Sequence, residues 1–268
     1  VLHASRLARD FAALERALYA RRRVLRWLAG GTVAALVASR SVAAAGAQAR
    51  CTPAPEETNG PFPADGSPAP FGRTLNVLNQ SGIVRRDITR SFGSSTTAAA
   101  GVPLTLNITL QSAQRGCAPL AAHALYVWHC DRNGDYSMYS RRIAGENYLR
   151  GVQVSDASGQ VSFETIFPAC YAGRYPHIHV EVYAPPALAA DHTRALVTSQ
   201  LALPRETCAR VYAGASGYHG SLANLAELKA AEDMVFADST PAQLAAQTLL
   251  MQGSVAGGFT ASALVAVG

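Results

Sequence analysis

The sequence has 268 residues, of which 49% are hydrophobic and only 15% charged, and a formal net charge of +5. That length admits one large domain or two small ones. The net positive charge owes much to a cluster of arginines in residues 6 to 26, and the rest is nearly neutral; with no Lys/Arg run left there and no recognition motif, nucleic-acid binding is excluded.

In chain order the first element is a leader. Arg21, Arg22, Arg23, Val24, Leu25 and Arg26 precede a small-residue apolar run from Leu28 to Ala38, and the Ala-rich residues 43 to 49 offer an A-x-A cleavage site. Residues 1–50 therefore read as a signal peptide of the twin-arginine type, cleaved between Ala45 and Arg50, which exports an already folded protein to the periplasm or beyond. The apolar run falls short of the roughly 20 residues a membrane span needs, so no stable span is expected after cleavage.

Residues 51 to 72, CTPAPEETNGPFPADGSPAPFG, are too rich in Pro and Gly for helix or central strand and are expected to wrap over the surface. Short β-rich stretches follow at Pro103 to Gln111, Ala124 to His129, Gln160 to Ile166, His177 to Ala184 and Ala195 to Leu203, bounded by turns such as Asp131 to Gly134 and Asp156 to Gly159. Leu222, Leu225, Leu228 and Ala231 have helical spacing, which predicts one helix over residues 222–237, and Gly257 to Val267 returns to strand. The expectation is an all-β chain, an antiparallel β-sandwich with long loops and that one helix. It divides into a leader (1–50), a Pro/Gly-rich wrapping segment (51–100) and the β-sandwich domain (101–268).

Cys51, Cys117, Cys130, Cys170 and Cys208 all lie downstream of the leader, so export implies an oxidising compartment and one or two disulfides. The odd number leaves a thiol over, and the spacings do not set the pairing. No C-x-x-C occurs, which argues against a cysteine zinc site.

The densest group of unusual side chains is FPACYAGRYPHIHVEVY, residues 167 to 183. On a strand His177 and His179 share one face while Ile178 and Val180 take the other, so two imidazoles can occupy adjacent positions on one metal. An H-x-H pair also occurs on surface strands. Tyr171 on the turn before it, with Arg174 between, shifts the balance toward a metal. Upstream, in YVWHCDRNGDYS, Tyr136 follows an Asp/Asn/Gly turn that lacks the oxygen series and terminal Glu of an EF-hand calcium loop.

Over residues 51 to 185 the chain resembles the intradiol ring-cleavage dioxygenases, especially their exported branch. TPAPEETNGPF, GVPLTLNITL, GCAPLAAHALYVWHCDRNGDYS, NYLRGVQVSDASGQVSFETIFPACY and GRYPHIH match in order. The resemblance implies a non-haem Fe(3+) site with Tyr136 and Tyr171 as tyrosinate ligands, His177 and His179 as the imidazole ligands, and Arg174 as the active-site arginine. It implies that Tyr171 is displaced by substrate and takes a substrate proton. It also implies cleavage of catechol-type rings with O2, as in aromatic compound catabolism. Phenolate oxygen is a hard anionic donor that suits iron(III) over iron(II), and a bound cation acidifies the phenols it ligates.

Several residues near these motifs keep two readings. His129 is a further site candidate or a strand-end histidine bonded to backbone; Cys130 and Cys170 form a brace between the ligand loops or remain separate buried thiols; Tyr175 narrows the pocket or packs. Glu181 lies on the histidine face but too far along the strand to serve as the general base of a zinc hydrolase. The competing class is a secreted metal-binding β-sandwich module without turnover. The helical dimerisation segment of some cytosolic catechol dioxygenases has no clear counterpart, which leaves an oligomer open.

Overall fold

The computed structural model describes residues 51–68, 74–185 and 189–268; the expected leader, residues 1–50, lies outside them. Among the described residues the strands are β1 (Pro103–Ser112), β2 (Ala118–Pro119), β3 (Ala124–Trp128), β4 (Arg150–Val154), β5 (Gln160–Ile166), β6 (His177–Tyr183), β7 (Val197–Ala202), β8 (Leu250–Ser254) and β9 (Gly258–Val267). They form two sheets. One runs β2-β1-β9-β8 with β5 also paired to β1, and the other runs β4-β3-β6-β7. The protein is thus mostly β, as expected, and the expected strand stretches coincide with β1, β3, β5, β6, β7 and β9 within one or two residues.

Three features depart from the expectation. The sheets are not wholly antiparallel, because β1 and β9 pair in parallel from Leu104↔Phe259 to Ser112↔Val267. Among the described residues there are three short helices, α1 (Arg205–Gly214), α2 (Ser221–Ala226) and α3 (Pro241–Gln247). The single helix expected over 222–237 is broken: α2 ends at Ala226, and 3-10 turns at Ala230–Glu232 and Phe236–Asp238 follow. Leu222 is 45% exposed while Leu225 is buried, so the apolar spacing does not mark one core-facing stripe. Asp233 also captures the N–H groups of Val235 and Phe236 with its own carboxylate, competing with helical bonding there.

The strands follow from burial. In β1 buried and part-exposed residues alternate, with Leu104, Leu106, Ile108 and Leu110 inside; each such side chain contributes about 1.5–3 kcal/mol relative to exposure. They join Ile178, Val180 and Val182 of β6 and Val127 of β3 in one hydrophobic cluster. Strands β3, β6 and β7 are buried on both faces. Their second face is polar, carrying His177, His179, Glu181 and Gln200, and a buried polar face needs partners.

The wrapping segment supplies them. Its prolines keep it out of a ladder, so its carbonyls are left to accept from side chains. Pro63 O accepts from Tyr126 Oη at 2.7 Å and Arg150 Nη1 at 3.0 Å, and Thr58 O accepts from Gln200 Nε2 at 2.8 Å. Glu57 N donates to Thr198 O at 2.7 Å.

A Cys51–Cys117 disulfide staples the start of this segment to the β1–β2 turn, while Cys130, Cys170 and Cys208 are buried free thiols. The brace between Cys130 and Cys170 is therefore not formed; their sulfurs instead donate to Ala169 O and Arg174 O. With a sequence separation of 66 between its cysteines, the disulfide is expected to contribute about 2–4 kcal/mol. Cys117→Ser should lower the denaturation midpoint accordingly, and a midpoint equal to that of the oxidised parent would refute the staple. No helix among the described residues is long and apolar enough to cross a membrane.

Candidate metal centre

Two loops and one strand deliver the four residues singled out in the sequence. Asp131 closes the turn after β3: its carboxylate accepts from Asn133 N at 2.7 Å and Asp135 N at 3.0 Å, and its backbone N donates to Asp135 O at 2.8 Å. That carboxylate is spent on the turn, so the calcium reading fails. At Gly134, where φ is +86°, an added Cβ would sit 3.0 Å from Tyr171 Cβ; the positive φ and this close approach both require glycine. Ala169 N donates to Asp131 O at 3.2 Å, tying the Tyr136 loop to the Tyr171 loop.

Each loop has its own anchors. Tyr136 N donates to Ser140 Oγ at 2.9 Å, and Arg150 reaches the following residue through Ser137 Oγ at 3.0 Å and Ser137 O at 2.9 Å. On the other loop, Cys170 N donates to Ser221 Oγ at 3.2 Å and Cys170 O accepts from Asn224 Nδ2 at 2.8 Å, so α2 holds the turn that carries Tyr171.

These anchors bring the four side chains together. Tyr136 Oη is 3.3 Å from His177 Nε2 and 3.4 Å from His179 Nε2, and Tyr171 Oη is 3.3 Å from His177 Nε2. Tyr136, His177 and His179 are each 2% exposed, whereas Tyr171 is only half-buried. Tyr171 is therefore the member of the quartet most open to solvent.

The imidazoles are set up as lone-pair donors. His177 Nδ1 lies 2.6 Å from Tyr175 O, which fixes the proton on Nδ1 and leaves Nε2 open toward the phenols. Burial, then the Arg174 charge, hold His177 well below the usual histidine range. Burial, then His177 and Arg174, do the same to His179. Both are neutral. His179 Nδ1 has no acceptor among the described residues, and its ring lies against Trp128, stacked at 4.6 Å with 8° between planes.

Two neutral imidazole nitrogens and two phenol oxygens form a donor set for a hard to borderline transition cation. Among the described residues no cluster of three or more His, Cys, Asp or Glu side chains is built to hold a metal. The phenols are what complete this one.

Arg174 is 1% exposed, with Nε 3.0 Å from Asp233 Oδ2 and Nη2 2.6 Å from Gln200 Oε1. Its charge is near enough to depress both imidazoles. The other candidates take their bland readings. His129 is bonded to Cys130 O at 2.8 Å and Thr165 Oγ1 at 2.7 Å and is pushed by burial down to about 4. Tyr175 is buried in the core. Glu181 bonds Tyr183 Oη at 2.7 Å and is held by burial well above the carboxylate range, so it is no base for the histidines.

Trp128, Gln200, Phe62 and Asp233 also shape the site, and the sequence reading missed their parts. Trp128 and Gln200 are the cross-strand partners of His179 on β3 and β7, so a strand register would have found them. Phe62, in the NGPF stretch, stacks on Tyr136 at 4.8 Å.

Residues 85–203 match the family model described as dioxygenase. An intradiol ring-cleavage dioxygenase from Tetranychus urticae shares the fold with a TM-score of 0.60 at 22% identity, covering 81% of this chain and 95% of that one. A second dioxygenase structure gives 0.61 at 21% identity, with the same coverage. The dioxygenase domain of a dioxygenase carbohydrate-binding protein fusion from Streptomyces sp. SirexAA-E gives 0.48 at 24% identity, covering 81% of this chain and 100% of that one. No curated protein matches the chain.

Proposed function

We propose that this chain is an intradiol ring-cleavage dioxygenase, which opens catechol-type rings between their two hydroxylated carbons, using O2 and an Fe(3+) held by Tyr136, Tyr171, His177 and His179. The observation that carries the reading is the run of three oxygen–nitrogen contacts, 3.3 to 3.4 Å long, that links two phenol oxygens and two imidazole Nε2 atoms. Both oxygen atoms of O2 enter the product, a muconate-type diacid. When bound, the ferric ion would draw electron density from a chelated catecholate and open its ring carbon to O2.

The chain's residues supply the rest. Half-buried Tyr171 is the residue of the four that would give way to substrate, and its phenolate would accept a substrate hydroxyl proton. Tyr136, buried and packed on Phe62, stays in place. Arg174 presents a fixed positive charge to the anionic ring; because Asp233 and Gln200 already orient it, little reorganisation is needed as charge develops. The Cys51–Cys117 disulfide supports export to an oxidising compartment, with the twin-arginine leader as the route. There the enzyme acts in aromatic compound catabolism.

The test is an O2-uptake panel with catechol, hydroxyquinol and protocatechuate on purified, iron-loaded protein. Burgundy colour from phenolate-to-iron charge transfer and O2 consumed one-to-one with at least one catechol are expected. Colour without uptake across the panel would instead support the secreted metal-binding module without turnover. A colourless protein that retains no iron would overturn the ligand set.

A further inference from the structure

Asp233 stands 54 residues beyond the second histidine of the site, in the broken segment between α2 and α3, and it is 0% exposed. Its carboxylate splits between two tasks. Oδ1 accepts from Val235 N at 2.8 Å and Phe236 N at 3.4 Å, closing the 3-10 turn. Oδ2 accepts from Arg174 Nε at 3.0 Å and from Tyr175 N at 2.7 Å. One buried oxygen thus grips two consecutive residues of the loop that runs into β6.

The grip reaches the imidazole. The carbonyl of Tyr175 holds His177 Nδ1 at 2.6 Å, so the backbone pinned through its N–H also presents the acceptor that fixes the His177 tautomer and ring plane. Pro176 stiffens the next step, and its carbonyl is tied to Leu203 N at 3.0 Å. A merely structural aspartate at this turn needs only the Oδ1 bonds. The second oxygen, spent on Arg174 and Tyr175 in a fully buried place, has no role in the turn itself.

We propose that Asp233 is a positioning residue that aligns Arg174 and, through the Tyr175 backbone, His177, so that the guanidinium and the imidazole are registered to one another by a single carboxylate. The inference rests on the ring-cleavage reading for its effect on turnover, while its effect on His177 is a property of the protein alone. Groups that orient metal ligands or their neighbours are worth about 10- to 100-fold in affinity or activity.

Two variants of the full chain separate the tasks. Asp233→Ser keeps a hydroxyl for the turn N–H groups but cannot span to Arg174, and Asp233→Asn keeps the shape but loses the charge. In metal-free protein labelled with 15N-histidine, the parent should show His177 in the Nδ1–H form with a strongly hydrogen-bonded proton. Both variants should shift that signal toward mixed tautomers. In the iron-loaded protein, kcat per bound iron should fall about 10- to 100-fold with KM changed far less, and the charge-transfer maximum should move.

Variants that melt earlier but keep the His177 signal, the absorption maximum and kcat per iron would make Asp233 a turn cap and overturn the proposal. A parent lacking the Nδ1–H signal would overturn it whether or not the variants fold. If the parent shows the expected His177 signal, the variants shift it, and no catechol is turned over, the positioning stands and the ring-cleavage reading fails.

Discussion

Tyr136→Phe is expected to bleach the iron-loaded protein and lower turnover by more than ~100-fold, beyond the range typical of groups that only support a ligand. The substitution keeps the ring, which stacks on Phe62 at 4.8 Å and meets Tyr171 edge-on at 6.1 Å. The fold should therefore lose only about 1 kcal/mol, the value of a hydrogen bond. What disappears is the oxygen that lies between His177 Nε2 and His179 Nε2. Tyr171→Phe provides the contrast: its ring is half-buried, and removing the yielding ligand should leave the Tyr136 part of the absorbance and slow the proton transfer. The visible spectrum and O2 uptake of the two variants check this, and a Tyr136→Phe protein with full colour and turnover would sink the assignment.

Arg174→Ala carries the second large effect, in two measurable parts. Turnover per bound iron should fall by about 10²–10³, the usual cost of removing one preorganised donor from developing charge. Stability should fall as well, because Arg174 is half of a buried ion pair whose other half lies far along the chain. The guanidinium and Asp233 are 1% and 0% exposed, so truncating one partner strands the other's charge in the interior, at a cost of roughly 3–5 kcal/mol. Arg174→Ala/Asp233→Asn removes both charges while keeping an amide oxygen for the Val235 and Phe236 N–H groups, and should recover part of that stability without recovering turnover. Denaturation midpoints and kcat per iron separate the two parts. Unchanged kcat per iron in the single variant would make Arg174 purely structural.

The elements legible in the chain were those whose pattern is local. Strand β1 announces itself because Leu104, Leu106, Ile108 and Leu110 alternate with part-exposed residues, and the H-x-H pair because a strand puts i and i+2 on one face. Strand β8, Leu250–Ser254, was not legible: it is an exposed edge strand with no buried alternation. Helix α3 has a local start signal, Thr240 with Pro241 and Gln243 forming a capping box, but it is too short to show an apolar period. The helix expected over 222–237 failed because its spacing carried no information about the Asp233 side chain, whose bonds to Val235 and Phe236 favour a turn.

The sequence by itself determined which donors exist and on which elements they lie: two histidines on one strand face, a tyrosine on each of two flanking turns, and an arginine between. Only the tertiary structure decided that Tyr136 Oη comes within 3.4 Å of both imidazoles and that Trp128 faces His179. It also decided that Asp233, 59 residues from Arg174, grips the loop between Tyr171 and His177. The physical reason is range. Strand alternation acts over two residues and can be read along the chain, whereas a buried hydrogen bond is satisfied by whatever partner the packed sheets and the wrapping segment bring near.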